Sequence, residues 1–97
     1  MAQPLKNITP GDILREEFLQ PMELNQAELA RATGLSTACI SELVNGKRAV
    51  SAEADLRLSR YFGLSEGYWL RLQAAHDLLE ARRRLAADLK RIKPRAA

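Results

Sequence analysis

The chain has little of what most catalytic or metal-holding domains rely on. Its 97 residues include one cysteine, Cys39, and one histidine, His76. A single cysteine excludes an internal disulfide, and one cysteine with one histidine cannot furnish the ligand set of a structural metal site. No Ser-His-Asp, Cys-His or paired-carboxylate arrangement can be argued from these residues, so no enzyme activity, cofactor or metal is expected. Aromatic residues make up only 5% of the chain, which points to a small core built from Leu and Ala. No apolar run approaches the ~20 residues of a membrane span, and no secretory signal precedes Thr9; a cytoplasmic protein with no membrane partner is expected. Period-two alternation is absent, so no strand is expected.

What is present is 46% apolar residues, enough for one domain with one core. The formal net charge of +3 conceals an asymmetry. Residues 81–97 carry Arg82, Arg83, Arg84, Lys90, Arg91, Lys93 and Arg95 against Asp88 alone, a balance of +6. Residues 1–80 carry eight cations against eleven carboxylates, a balance of −3. The basic character therefore belongs to the tail. A slightly acidic body suits a groove binder whose few cations cluster at the phosphates, or a partner that is itself basic.

Helix signals recur along the chain. Residues 1–8, with Pro4 and no periodicity, read as a flexible lead-in. Thr9-Pro10-Gly11-Asp12 has the cap, the first-position proline and the third-position carboxylate of a helix start. It predicts a first helix over 10–19 with Ile13, Leu14 and Phe18 inward, ended by Pro21. Asn25 with Glu28 predicts a capping box on a second helix, and Ser36 caps a third that runs to about Val44. Ser51 caps a fourth, with Glu53 and Asp55 in its first turn; Leu56, Ser59 and Phe62 form its stripe beside Leu58 and Tyr61, and Gly63 closes it. Ser65 caps a fifth, with Glu66 in its first turn, a stripe of Trp69, Leu72, Ala75, His76 and Leu79, and a course to about Arg91. The reading is all-α: five helices, a domain over residues 9–80, and a basic helical extension over 81–97. A second stripe, Leu78, Leu85, Leu89 and Ile92, has no partner inside five helices and is expected to form a homodimer seam.

The centre of the chain is residues 25–48, NQAELARATGLSTACISELVNGKR. Gly34 supplies the turn between two short helices, and Ala30 the close crossing. Leu29, Leu35, Ile40 and Leu43 fall inward. Ser36, Thr37, Ala38, Ser41, Glu42 and Asn45 are left on the exposed face of the second helix. This is the helix-turn-helix arrangement, whose second helix enters the DNA major groove. An ordinary helical hairpin that binds nothing would not need this combination at this spacing. Gln26, at a helix start, is placed for a phosphate or a base edge. Thr37, Ala38 and Glu42 are the base-reading candidates: Thr37 through its hydroxyl or methyl, Ala38 by touching a thymine methyl, Glu42 by accepting from cytosine N4. Glu42 has a competing role as an ion-pair partner of Arg48. Lys47 and Arg48 are candidate phosphate contacts, and Ser36, Ser41 and Asn45 candidate backbone contacts. Cys39, one residue before inward-facing Ile40, reads as a small buried filler rather than a redox sensor. The Arg82-Arg83-Arg84 run is either a solvated face or a contact for flanking DNA or an acidic partner.

Gln26, Ala30, Gly34, Leu35, Ile40 and Leu43 stand where the phage-repressor-like (Xre/Cro) helix-turn-helix pattern has them, and the Asn45-Gly46-Lys47-Arg48 exit is similar. Thr33 departs from it, since an apolar residue is commoner there. Residues 10–19, PGDILREEFL, and 68–78, YWLRLQAAHDL, resemble the HigA family of antitoxins, so the similar segments cover about residues 9–84. That resemblance implies a lambda-repressor-like helix-turn-helix fold. It also implies two jobs: neutralising a HigB-type toxin, an mRNA endonuclease of the RelE class, and binding double-stranded operator DNA as a homodimer to repress its own operon. A small basic toxin would suit the acidic balance of residues 1–80, with Asp12, Glu16 and Glu17 on the first helix as its candidate surface. A stand-alone repressor shares the helix-turn-helix and stays open. So does an interaction module without DNA affinity, because no Lys or Arg lies between Ser36 and Asn45. The tail after Arg84 matches no part of the family pattern.

Overall fold

The computed structural model describes residues 5–96. Six α-helices and no strand occur among the described residues: α1 (Pro10–Ile13), α2 (Gln26–Thr33), α3 (Thr37–Val44), α4 (Ala52–Phe62), α5 (Tyr68–Arg84) and α6 (Ala86–Arg91). α1 runs without a break into a π-helical stretch, Leu14–Leu19, so the first rod covers the expected span in two windings. The looser winding brings Leu14 and Leu19, five residues apart, into the core together.

Four expected caps form. Thr9 and Asp12 bond each other's backbone N–H groups at 3.0 and 3.1 Å, and Asn25 and Glu28 do the same at the start of α2. Ser36 Oγ accepts from Cys39 N–H, and Ser51 Oγ from Ala54 N–H. The fifth expected cap is corrected. α5 starts at Tyr68, after Gly67, and no side chain of its own segment caps it. Asp55 of α4 does this from across the fold: its carboxylate accepts from the N–H groups of Gly67 (2.7 Å), Trp69 (2.8 Å) and Leu70 (3.2 Å). The positive end of α5 thus meets a full negative charge that is itself buried.

Leu14, Leu29, Ile40, Leu58 and Trp69 are the buried centre. Phe18, Phe62 and Tyr68 close around Trp69, the Phe18 and Phe62 centroids lying 4.6 Å apart. The stripe on α4 is also corrected: Ala54, Asp55, Leu58 and Ser59 are buried, while Leu56 is 48% and Tyr61 42% exposed. Burial of Asp55 sets the helix phase, and Leu56 is turned out by it. α1 lies against the end of α3 so closely that a Cβ on Gly11 would sit 1.8 Å from the Leu43 carbonyl oxygen.

The expected long last helix breaks at Leu85 (φ −101°, ψ 10°), and α6 follows as a separate turn and a half. No glycine or proline marks the break. Of the lead-in, residues 1–4 lie outside the described residues, whereas residues 5–8 run along α5. There Asn7 Nδ2 donates to the His76 carbonyl (2.8 Å) and to Glu80 (3.0 Å), and Arg83 donates to the Leu5 carbonyl (2.7 Å). On the second stripe Leu78, Leu89 and Ile92 are 61%, 46% and 67% exposed.

Candidate nucleic-acid interface

α2 and α3 meet at a turn that two side chains stabilise. Gly34, at φ +79°, returns its N–H to the Ala30 carbonyl at 2.9 Å and ends α2. Thr33 is buried, but its hydroxyl donates to the Leu29 carbonyl (2.7 Å) and accepts from Leu35 N–H (3.3 Å). The polar residue is therefore satisfied at an apolar position. Arg57 of α4 donates to the Thr33 carbonyl at 2.9 Å while Glu53 holds its other edge at 3.0 Å. Sequence reasoning missed this brace, because its partners are 24 residues apart.

α3 is held from behind by Cys39, Ile40, Leu43 and Val44, all buried, so Cys39 is the filler expected of it. The opposite face is available: Ser36, Thr37, Ala38 and Asn45 are exposed, and Ser41 and Glu42 are half-buried. Asn45 Nδ2 donates to Ser41 Oγ at 3.4 Å, one turn back. Gln26 is half-buried at the start of α2, and Lys47 and Arg48 are exposed just past α3. The ion pair expected of Glu42 is formed: Arg48 donates to its carboxylate at 3.1 Å. That bond makes the Arg48 proton harder to remove than usual. The nine residues singled out from sequence thus lie on or beside α3 and the start of α2, with their side chains reaching solvent. Asp12 is less accessible than a docking residue would be. It is buried in its capping box and flanked by Arg15 at 3.3 Å and Lys6 at 3.7 Å, leaving Glu16 and Glu17 as the exposed acids of the first rod.

Comparison with known proteins places this geometry. A helix-turn-helix family model matches residues 14–69. Virulence-associated protein I of Dichelobacter nodosus is 48% identical over 73% of the chain, which spans 66% of that relative's length. Antitoxin HigA-1 of Vibrio cholerae is 33% identical over 90% of the chain and 82% of its own. The chain belongs to the HigA family of helix-turn-helix antitoxins. Among solved HigA structures, the Pseudomonas aeruginosa antitoxin with the higBA promoter superposes with a TM-score of 0.87 at 35% identity, covering 94% of this chain and all of that one. Family membership thus extends beyond α2 and α3 to the first rod and to α5. No helix among the described residues is long and apolar enough to cross a membrane.

Proposed function

We propose that this HigA-family chain is a homodimeric antitoxin that binds operator DNA upstream of its own gene and represses it, and that it neutralises a HigB-like toxin of the mRNA-endonuclease class in the cytoplasm. The observation that carries the DNA half is the outer face of α3. It is a rigidly backed helix offering short polar side chains and no bulky group, next to a cationic exit loop. In this reading Thr37 and Ala38 meet base edges. Gln26, Ser36, Ser41, Asn45, Lys47 and Arg48 meet the sugar-phosphate backbone, and the Glu42 carboxylate competes with the phosphates for Arg48. The relative solved with promoter DNA supports the same use of the fold.

Dimerisation through Leu78, Leu85, Leu89 and Ile92 would present two copies of α3 to successive major grooves, roughly 34 Å apart. The toxin half rests on family membership and on the negative balance of residues 1–80. The test has two arms. In a titration of the chain on its own upstream DNA, Thr37→Ala should cost about 1–3 kcal/mol on the cognate duplex and little on random sequence. Equal losses on both would remove Thr37 from base readout. In co-expression with the neighbouring reading frame, the two products should purify together and growth arrest by the second should be relieved. A chain that binds the duplex with no toxin encoded beside it would instead be a stand-alone repressor.

A further inference from the structure

The fold proper is short of the cations that duplex binding requires. No Lys or Arg lies between Ser36 and Asn45, and of the two in the exit loop Arg48 is occupied by Glu42 at 3.1 Å. Lys47 remains in the exit loop, and Arg31 in the last turn of α2 makes no ion pair among the described residues. Affinity for duplex DNA comes largely from phosphates neutralised by Lys and Arg, with release of condensed counterions.

The missing charge is on the tail. Arg82, Arg84, Lys90, Lys93 and Arg95 make no ion pair within 4.0 Å among the described residues, whereas Arg83 holds the Leu5 carbonyl and Arg91 pairs with Asp88 at 3.7 Å. Every residue from Ala86 to Ala96 is exposed, so the segment is not packed on the domain. The radius of gyration, 16.5 Å, exceeds the ~12.5 Å of a compact chain this long, consistent with a projecting arm. The helix that leads into the arm passes the exit loop. Val50 N–H donates to Gln73 of α5 at 2.9 Å, which fixes α5 beside Lys47 and Arg48. From Gln73, α5 carries the chain ~16 Å to Arg84, and after the break at Leu85 α6 adds ~9 Å of helix to Arg91.

Resting on the operator-binding reading above, we propose that residues 82–95 form a second, sequence-independent DNA contact, in which these five cations lie along the phosphates flanking the site that α3 reads. The apolar side of the same segment, Leu85, Leu89 and Ile92, stays free for the homodimer seam. α3 then selects the site while the arm supplies much of the affinity.

The test compares the full chain with a variant in which Arg82, Arg84, Lys90, Lys93 and Arg95 are all replaced by Gln. Anisotropy titrations would run from about 50 to 200 mM salt on two duplexes, one trimmed to the half-sites and one extended by ~10 bp on each side. Light scattering and circular dichroism would confirm equal assembly and helix content. On the extended duplex the variant is expected to bind about 10-fold or more weakly, with the slope of log K against log salt shallower by about 2–4, at ~0.9 for each phosphate lost. On the trimmed duplex the two proteins should agree to within about 2-fold. Equal binding on the extended duplex would overturn the proposal. An equal loss on both duplexes would overturn the flanking placement. A full chain that bound neither duplex would overturn the operator-binding reading itself, a result distinct from either of these.

Discussion

Asp55 offers the sharpest test of how α5 is placed. Its carboxylate is 1% exposed, has no cationic partner within 4.0 Å among the described residues, and is held by the backbone N–H groups of Gly67, Trp69 and Leu70. In Asp55→Asn the oxygen facing Trp69 and Leu70 can remain, but an amide N–H₂ confronts the Gly67 N–H. One short charge-assisted bond becomes a donor-donor clash, and two others lose their charge. Leaving a buried donor unpaired costs about 1–3 kcal/mol, and weakening charged bonds to neutral ones costs up to about 1 kcal/mol each. Relief of the desolvated carboxylate offsets part of this. The expected net loss is about 2 kcal/mol, or about 10 °C in Tm for a domain of this size. Asp55→Ala, which abandons all three donors, should lose about 3–5 kcal/mol. The assay is urea unfolding read by Trp69, the only tryptophan, with its emission shifting to the red in native Asp55→Ala as the start of α5 loosens. A variant as stable as the parent would refute the reasoning. It would mean that burying the charge costs as much as its three bonds return, and that apolar packing alone sets α5.

Three further outcomes are expected. Gly11→Ala should destabilise by about 3 kcal/mol or more, measured by urea midpoint, because its Cβ would sit 1.8 Å from the Leu43 carbonyl oxygen and backbone would have to move. Asp12 titrates below its ordinary value of 3.8, chiefly because the Thr9 N–H bonds its carboxylate, with Lys6 and Arg15 assisting against burial. Its contribution to stability is therefore complete above pH ~4 and is lost as pH falls through the lower folded value. Asp12→Asn should be less stable at pH 6, yet lose stability less steeply from pH 4 to pH 2. Glu42→Gln should change stability by under about 1 kcal/mol, since its pair with Arg48 is solvent-exposed. It should also tighten DNA binding several-fold by releasing Arg48; weaker binding confined to the cognate duplex would instead make Glu42 a reader of cytosine.

The caps at Thr9, Asn25, Ser36 and Ser51 were legible because each is a rule about residues three apart, and nothing distant competes with it. The same holds for the turn at Gly34 and for the burial of Ile40 and Leu43, which follow from local geometry and period. Local rules failed where a residue was claimed from far away. Asp55 satisfies the preference for an acid in a first turn, so nothing in α4 suggests that its partners lie 12 to 15 residues on. Once Asp55 points inward, a rotation of the helix follows, and Leu56 is exposed as a consequence. Ser65-Glu66 imitates a helix start for the same reason: the true start is set by a carboxylate the pattern does not contain. Gly11 and Arg57 escaped notice because what they contact, the Leu43 and Thr33 carbonyls, is backbone and leaves no mark on composition.

These failures share a physical direction. The distant contacts all tie α1, α4 or α5 to the helix-turn-helix or to each other, while α2 and α3 were read correctly almost in isolation. The recognition unit is therefore specified locally, and its rigidity is specified by the flanks. Removing Arg57 or enlarging Gly11 would leave the face of α3 chemically intact and still disturb its placement. A loss of DNA affinity in either variant, with the cognate preference retained, is the signature that separates support of the unit from the base readout proposed for Thr37 and Ala38.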